Sequence, residues 1–396
     1  MTDEDNQIAE ELDDNGNKSG VEEDNIDTSE IAPFDPDKIR LRTQPFSLAQ
    51  CLGRIKQGSL LLSPDFQRAF VWDKKRQSQL IESLMLKIPL PMFYVSSDAK
   101  ENYHVVDGLQ RLTTLRNFVL SAEERTDHKD ERFKLEGLEF WKELEGKHFA
   151  ELDIYLQNRI LETTLQVTII EYNTPEKVKR NVFKRLNTGG MPLTPQEIRN
   201  ALYQGKSTIL LKELVQENTF VQVTNHSISD GRMVGREIIL RFIAFSLFAS
   251  EYKIGDMDEF LSNSMEKINL FKDEQIDNIR HSFLLAMERS YDLFGAHSFR
   301  KSLPIDDRKS PINKSLFEVW SVLLANMNSN NYLELKKSSD LLFKNLQTLY
   351  SEDSFQRAVS RDSWKVESVR ARYNFLNKII DMTLQGERYE AFNIKF

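Results

Sequence analysis

The sequence predicts an α+β protein in which an acidic tail precedes a mixed α/β domain and an all-helical C-terminal domain. Residues 1–30 are acidic and lack aromatic side chains, residues 46–120 alternate helix and strand patterns, and strand patterns stop after about residue 206. We therefore predict a disordered tail over 1–30, a mixed domain over 31–205 and a helical domain over 206–396.

The tail carries most of the negative charge of the chain. Residues 1–30 hold 12 acidic residues and one basic residue, Lys18, so their net charge is −11, whereas the whole chain carries −8. The remainder is therefore slightly basic, at +3. So charged a segment buries too little apolar surface to offset chain entropy, which predicts disorder. The tail is either a solubilising leader or a nucleic-acid mimic that covers a basic surface until a partner displaces it.

The composition excludes several classes of protein. A chain of 396 residues is long enough for more than one domain with its own core. Its single cysteine, Cys51, excludes a disulfide framework and a cysteine-based zinc site. The most apolar stretch, residues 238–249, contains Arg241 and is shorter than the roughly 20 residues of a membrane span. We therefore expect a cytoplasmic protein with no membrane partner.

Capping and periodicity place the elements. Ser47 and Asp73 are predicted to cap two helices, and Thr194 with Glu197 forms a capping box. Residues 121–163 are predicted to be irregular. The predicted strands are 92–95, 103–106 and 165–170, with a short apolar run at 60–62. The predicted helices of the C-terminal domain are 207–217, 235–250, 257–269, 273–294, 312–327, 331–349 and 365–385. Basic residues near the last helix, Arg372 among them, form either a solvated face or a surface for DNA phosphates or a partner subunit.

The strand–turn–helix around Asp107-Gly108 is the most informative segment. A helix that starts just after a strand offers backbone N–H groups and a positive dipole end to a phosphate. Gly108 lets a ligand approach the backbone, and Arg111 in the first turn suits bidentate phosphate contact. Asp107 is placed to orient that arginine or to hold a metal ion. A plain Asp-Gly helix start with a surface arginine remains the alternative.

Two further segments are candidates for ligand binding. Gln67 and Arg68 lie among four bulky apolar residues, which predicts either a platform that fixes the arginine or an ordinary buried loop. The loop from Asn187 to Gly190 joins two helices and is flanked by basic residues. A glycine-rich loop before a helix either binds an anion or simply connects the helices.

Together these segments resemble the N-terminal domain of the GmrSD-type modification-dependent restriction endonucleases, which has a ParB/sulfiredoxin-like nucleotide-binding fold. The sequence departs from the family at Leu109, where glutamine is usual. The matching residues are Phe66, Gln67, Arg68 and Trp72, then Asp107, Gly108, Gln110, Arg111, Leu112, Thr113, Thr114 and Leu115, and finally Phe183, Asn187, Gly190, Leu193 and Glu197.

The resemblance implies an NTP-binding and NTP-hydrolysing component of a prokaryotic restriction or anti-phage defence system, with Mg²⁺ as cofactor and the base unidentified. DNA and a separate nuclease or methyltransferase subunit are the expected partners. The expected catalytic residues are Asp107, Gln110 and Arg111, with Asp107 also the metal ligand. The expected nucleotide-binding residues are Gln67, Arg68, Gly108, Thr113, Thr114, Asn187 and Gly190.

DNA cleavage by this chain itself is not expected. A His-Asn-His nuclease site needs a histidine base beside metal ligands, and the six histidines do not cluster in the sequence. Two other functions remain open: a non-catalytic DNA- or nucleotide-binding regulatory module, and a ParB-like DNA nickase.

Overall fold

The computed structural model describes residues 9–12, 18–23, 40–62, 72–124, 132–186, 193–228 and 230–390. The chain divides into a mixed unit, Pro33–Leu193, and a helical unit that combines Met1–Ala32 with Thr194–Phe396. The architecture is α+β, as predicted, because a five-stranded mixed sheet in the first unit is followed by a succession of helices. The helix Pro195–Leu202, expected in the mixed domain, groups with the helical unit.

Seven strands and sixteen α-helices lie in the described part of the chain. The strands are β1 (Glu10–Leu12), β2 (Lys18–Glu22), β3 (Leu41–Ser47), β4 (Leu60–Leu61), β5 (Phe93–Ser97), β6 (Tyr103–Asp107) and β7 (Thr164–Ile170). The helices are α1 (Leu48–Lys56), α2 (Lys74–Met85), α3 (Leu109–Val119), α4 (Ile154–Leu161), α5 (Glu176–Leu186), α6 (Pro195–Leu202), α7 (Lys206–Val215), α8 (Asn218–Val223), α9 (Val234–Phe248), α10 (Met257–Asn269), α11 (Asp273–Phe294), α12 (Lys314–Asn326), α13 (Ser329–Lys337), α14 (Ser339–Tyr350), α15 (Asp353–Gln356) and α16 (Val366–Leu384).

The sheet of the mixed unit has the strand order β3-β7-β5-β6-β4. β5 runs parallel to β7 and β4 runs parallel to β6, whereas β3 with β7 and β5 with β6 are antiparallel. The strands predicted at 92–95, 103–106 and 165–170 are confirmed as β5, β6 and β7. The sequence analysis missed β3, whose Pro45 and polar residues weaken the strand pattern. As an edge strand, β3 tolerates a residue without an N–H.

Three predicted helix starts are confirmed by their hydrogen bonds. The Ser47 hydroxyl accepts the Gln50 N–H at 3.2 Å, and the Gln50 side chain accepts the Ser47 N–H at 2.8 Å. The Asp73 carboxylate accepts the N–H three residues further on at 2.7 Å. Thr194 and Glu197 form the reciprocal pair at the start of α6, at 3.1 and 2.6 Å. These local signals act within one turn, which is why the sequence reveals them.

A buried carboxylate organises part of the segment that was predicted to be irregular. Glu82 of α2 accepts the N–H groups of Glu139, Phe140 and Trp141 at 2.9, 2.8 and 2.9 Å. Burial raises the pKa of Glu82, but these N–H groups and the charge of Lys142 outweigh it, so the pKa lies below its usual value. The prediction of irregular structure is wrong for α4, which lies within that segment.

The helical unit follows the predicted pattern with small differences. The helices predicted at 257–269 and 273–294 are α10 and α11, with the same bounds. The single helix predicted at 331–349 is two helices, because α13 ends at Lys337 and α14 begins at Ser339, with Ser338 between them. The short helices α8 and α15 were not predicted. Among the described residues, no helix combines the length and apolar character needed to cross a membrane.

The basic residues of α16 are not all exposed to solvent, in contrast to the predicted solvated face. Arg372 and Glu318 of α12 are both fully buried and form a bidentate ion pair, with nitrogen–oxygen distances of 3.2 and 2.6 Å. The Arg372 guanidinium also donates to the carbonyl oxygens of Ala358 and Ser363. The sequence hides this role, because the partners lie far away along the chain.

The described part of the acidic tail differs from the expectation of disorder. β1 and β2 pair as an antiparallel hairpin, and Val21 is completely buried in the core of the helical unit. The pattern is weak in sequence because only one apolar side chain of β2 is buried and acidic residues surround it.

We predict that Glu318→Leu lowers the free energy of unfolding by about 3–5 kcal/mol, because it leaves the Arg372 charge buried without its carboxylate. The double variant Glu318→Leu/Arg372→Met removes both charges and should recover part of this loss. Urea unfolding followed by circular dichroism measures both effects. The control Lys337→Ala breaks an exposed pair with Glu334 and should cost less than about 1 kcal/mol. A double variant less stable than the single variant would contradict the account.

We predict that Glu82→Gln lowers the free energy of unfolding near neutral pH by about 1–3 kcal/mol, since it weakens three hydrogen bonds to a buried carboxylate. The folded-state pKa is depressed, so the stabilisation is complete above the unfolded pKa and is lost as pH falls through the folded pKa. The gap between variant and wild type should therefore narrow below about pH 4. Urea midpoints measured across pH test this, with the exposed Glu162→Gln as control. A gap that does not change with pH would exclude the mechanism.

Candidate functional site

The turn between β6 and α3 passes through a left-handed glycine. Asp107 ends β6, Gly108 is the N-cap of α3 with φ +97°, and α3 begins at Leu109. A Cβ at Gly108 would overlap the Phe93 ring, so both the backbone conformation and the available space require glycine. Gly108 has no side chain with which to cap α3. The first turn of the helix therefore presents its backbone N–H groups and the positive end of its dipole at this turn.

Arg111 binds the turn to the start of β5. Its Nη1 donates to the carbonyl oxygen of Pro91, and its Nη2 donates to the carbonyl oxygen of Met92 at 3.2 Å. Nη2 also donates to the Asp107 carboxylate at 3.0 Å. The guanidinium carbon lies 4.4 Å from the centre of the Phe93 ring, a cation–π distance. The arginine is thus engaged by three acceptors of the mixed unit and one ring.

The electrostatics of the Asp107–Arg111 pair follow from their unequal burial. Burial lowers the pKa of Arg111, and the neighbouring Asp107 carboxylate opposes that effect by charge and hydrogen bonding. The side chain of Arg111 is 13% exposed, whereas that of Asp107 is 36% exposed. Asp107 therefore keeps access to solvent while it compensates the buried cation.

The remaining predicted residues of this motif divide into two groups. Gln110 and Thr113 are half-buried in the first turns of α3. Thr114 is fully buried and its hydroxyl donates to the Gln110 carbonyl at 2.8 Å, which directs it into the helix rather than towards the turn. The structure therefore brings Asp107, Gly108 and Arg111 together, with Gln110 beside them.

The other predicted site residues lie outside the described residues. These are Gln67, Arg68, Asn187 and Gly190. Of the residues that flank them, Trp72 lies 4.6 Å from the Arg76 guanidinium, and Phe183 is buried in α5.

The sequence analysis missed several contacts at the turn. The carbonyl oxygens of Pro91 and Met92 are backbone acceptors, and no residue type signals such a role. Phe93 lies in a predicted strand, and only the structure reveals its place under the guanidinium. Arg116 and Asn117, both buried in α3, also form a pair with nitrogen–oxygen distances of 3.0 and 2.9 Å.

Asp107 is the candidate metal ligand at the turn. Among the described residues, no group of three or more His, Cys, Asp or Glu side chains is arranged to hold a metal ion. Mg²⁺ is commonly held by one or two carboxylates together with substrate phosphates and water. A half-exposed carboxylate beside a helix start therefore fits a magnesium ion that arrives with phosphates.

Residues 48–204 match the family model described as GmrSD restriction endonuclease, N-terminal domain. The match begins at the first residue of α1, ends after α6 and includes the whole β6–α3 turn. No curated protein and no solved structure gives a match to the chain.

We predict that Gly108→Ala destabilises the protein more than Gly58→Ala. Both glycines have positive φ, so each alanine carries a backbone penalty of roughly 1–2 kcal/mol. At Gly108 the added methyl group also collides with Phe93, whereas no atom lies within 4 Å of a Cβ at Gly58. Urea unfolding measures both losses. Equal losses would show that the close approach at the turn does not constrain it.

Proposed function

We propose that the protein is the NTP-binding and NTP-hydrolysing component of a prokaryotic restriction or anti-phage defence system. The proposal starts from the match of residues 48–204 to the family model of the GmrSD restriction endonuclease N-terminal domain. The family supports a component of a restriction or defence system. The finer proposal is that nucleotide state is coupled to DNA or to a separate nuclease or methyltransferase subunit.

The observation that carries the proposal is the glycine N-cap of α3. An 11-residue helix begins directly after β6, and its N-cap is a glycine that has no side chain to satisfy the first N–H groups. Backbone N–H groups and the helix dipole at such a position favour a phosphate. The missing Cβ of Gly108 also keeps the approach to the backbone short.

Arg111 and Asp107 supply the charges that a phosphate site needs. A guanidinium carries five N–H donors, and Arg111 donates three hydrogen bonds to protein acceptors. We propose that it contributes a further donor and its positive charge to the phosphates. Asp107 would hold Mg²⁺ or orient the attacking water, and Gln110 would assist from the first turn. Gln67, Arg68, Thr113 and the loop from Asn187 to Gly190 complete the proposed site.

We assign DNA cleavage to a separate nuclease subunit, because the six histidines of this chain do not cluster in the sequence. A non-catalytic regulator remains the second candidate. It is favoured by the Asp107–Arg111 hydrogen bond of 3.0 Å, since a carboxylate committed to an arginine is a weaker general base for water.

We predict that Arg111→Ala weakens NTP binding by about 10–100-fold, the value of a charge-assisted hydrogen bond. Fluorescently labelled forms of the four NTPs, titrated with Mg²⁺, measure the affinity. Arg159→Ala is the matched control, because Arg159 also donates to a backbone carbonyl, that of Met85 at 2.7 Å, and packs on an aromatic ring. The control should bind as the wild type does. Equal binding by the wild type and Arg111→Ala would refute the site.

Phosphate release from each NTP, with and without DNA, separates the two candidates. Turnover that Asp107→Asn abolishes supports the enzyme. Binding without turnover supports the regulator. A parallel plasmid assay with Mg²⁺ tests the nickase alternative, and nicking by the purified chain would contradict the assignment of cleavage to another subunit.

A further inference from the structure

The strand β2 of the acidic tail occupies a groove of the helical unit. The Glu22 N–H donates to the Ile312 carbonyl at 2.8 Å, and the Ile312 N–H donates to the Gly20 carbonyl at 2.9 Å. Between them, Val21 pairs in parallel with Ile312 and is completely buried in the hydrophobic core. β2 is thus bound as an added strand, in which main-chain hydrogen bonds give affinity and side-chain pockets give specificity.

Gly20 is selected by the shape of this groove. Its φ is +78°, and a Cβ would overlap the carbonyl oxygen of Ser227. Any other residue would have to adopt an unfavourable backbone conformation and displace the main chain opposite. The groove therefore accepts glycine followed by a buried apolar side chain.

Glu22 is bound by side chains from three separate parts of the helical unit. Its Oε1 accepts Lys301 Nζ at 2.7 Å and Ser360 Oγ at 2.8 Å, and its Oε2 accepts Asn313 Nδ2 at 3.0 Å. Ser360 lies in a single π-helical turn, 357–361, and such turns are frequent at functional sites. Asn313 is the N-cap of α12 and is itself buried. Its amide would lose an acceptor if the carboxylate left.

The strand β1 adds a second contact between an acidic side chain of the tail and a basic side chain of the helical unit. Glu11 accepts Lys314 Nζ at 2.5 Å, and Lys314 is buried at the first position of α12. Burial lowers the pKa of Arg300, and the charge of Glu10 partly opposes that effect. Two carboxylates of the hairpin, Glu22 and Glu11, are thus paired with lysines of the helical unit, and Glu10, which pairs with Lys18 within the hairpin, acts on Arg300 by its charge alone.

We propose that the helical unit carries a binding site for an extended acidic peptide of the pattern glycine–apolar–acidic, and that its resident ligand is the chain's own Gly20-Val21-Glu22. The site is specific rather than merely basic, because each position of the pattern meets its own structural constraint. All of these contacts lie within the helical unit. The proposal therefore stands or falls independently of the proposed nucleotide site.

The full-length variant Gly20→Ala tests the site. Its added methyl group would collide with Ser227, so β2 should not bind in the groove, and the groove becomes free although the chain keeps its full length. A fluorescent peptide of residues 9–23 should bind this variant and bind the wild type at least about tenfold more weakly, since the wild-type groove is filled. The same peptide with Glu22→Gln should bind the variant about tenfold more weakly or worse. A peptide of scrambled sequence and equal charge should not bind.

Three results would overturn the proposal: equal binding to wild type and variant, equal binding of the scrambled peptide, or no binding to a folded Gly20→Ala chain. Displacement of the peptide by single-stranded DNA would assign the groove to phosphates instead.

Amide exchange provides a readout should Gly20→Ala fail to fold. In the wild type, the Glu22 and Ile312 amides should exchange slowly, and Glu22→Gln should speed both. Fast exchange of both amides in the wild type would overturn the proposal.

Discussion

The Arg111 guanidinium is the interaction on which the β6–α3 turn depends. It donates hydrogen bonds to the carbonyl oxygens of Pro91 and Met92, the two residues before β5, and to the Asp107 carboxylate at the end of β6. It thereby connects the two strands at this end of the sheet. The turn can close around it only because Gly108 has no Cβ to collide with Phe93. The same glycine gives α3 an N-cap that has no side chain. One residue therefore permits the packing of Arg111 on Phe93 and also shapes the helix start at which a phosphate is favoured.

The sequence revealed those parts of the site that depend on local chemistry. An aspartate and a glycine between a strand pattern and a helix pattern predict the turn, and their structure agrees. The acceptors of Arg111 were unpredictable, because they are backbone oxygens about twenty residues away along the chain. Thr114 shows how burial can differ from what the sequence position suggests. A hydroxyl near the helix start looks available in sequence, but its position on α3 directs it into the core.

The fold shows the same division between local and distant causes. Capping residues and apolar periodicity predicted most helices and three central strands, whereas the edge strand β3 and the helix α4 needed tertiary partners. Charged residues were the least predictable. Arg372 and Glu22 look solvent-exposed in sequence, yet each is buried against partners of opposite charge from distant segments. Such partners offset the desolvation free energy of a buried charge, and the sequence alone does not show that they lie close to it.

Amide hydrogen exchange at the first turn of α3 tests the central claim most directly. If the helix start binds the phosphates of an NTP, saturating NTP with Mg²⁺ should slow exchange at Leu109, Gln110 and Arg111. Exchange across residues 20–22 in the helical unit should stay as it was, because that segment belongs to a separate site. Slowing confined to the helical unit, or no change at residues 109–111 under conditions where the nucleotide is bound, would contradict the account.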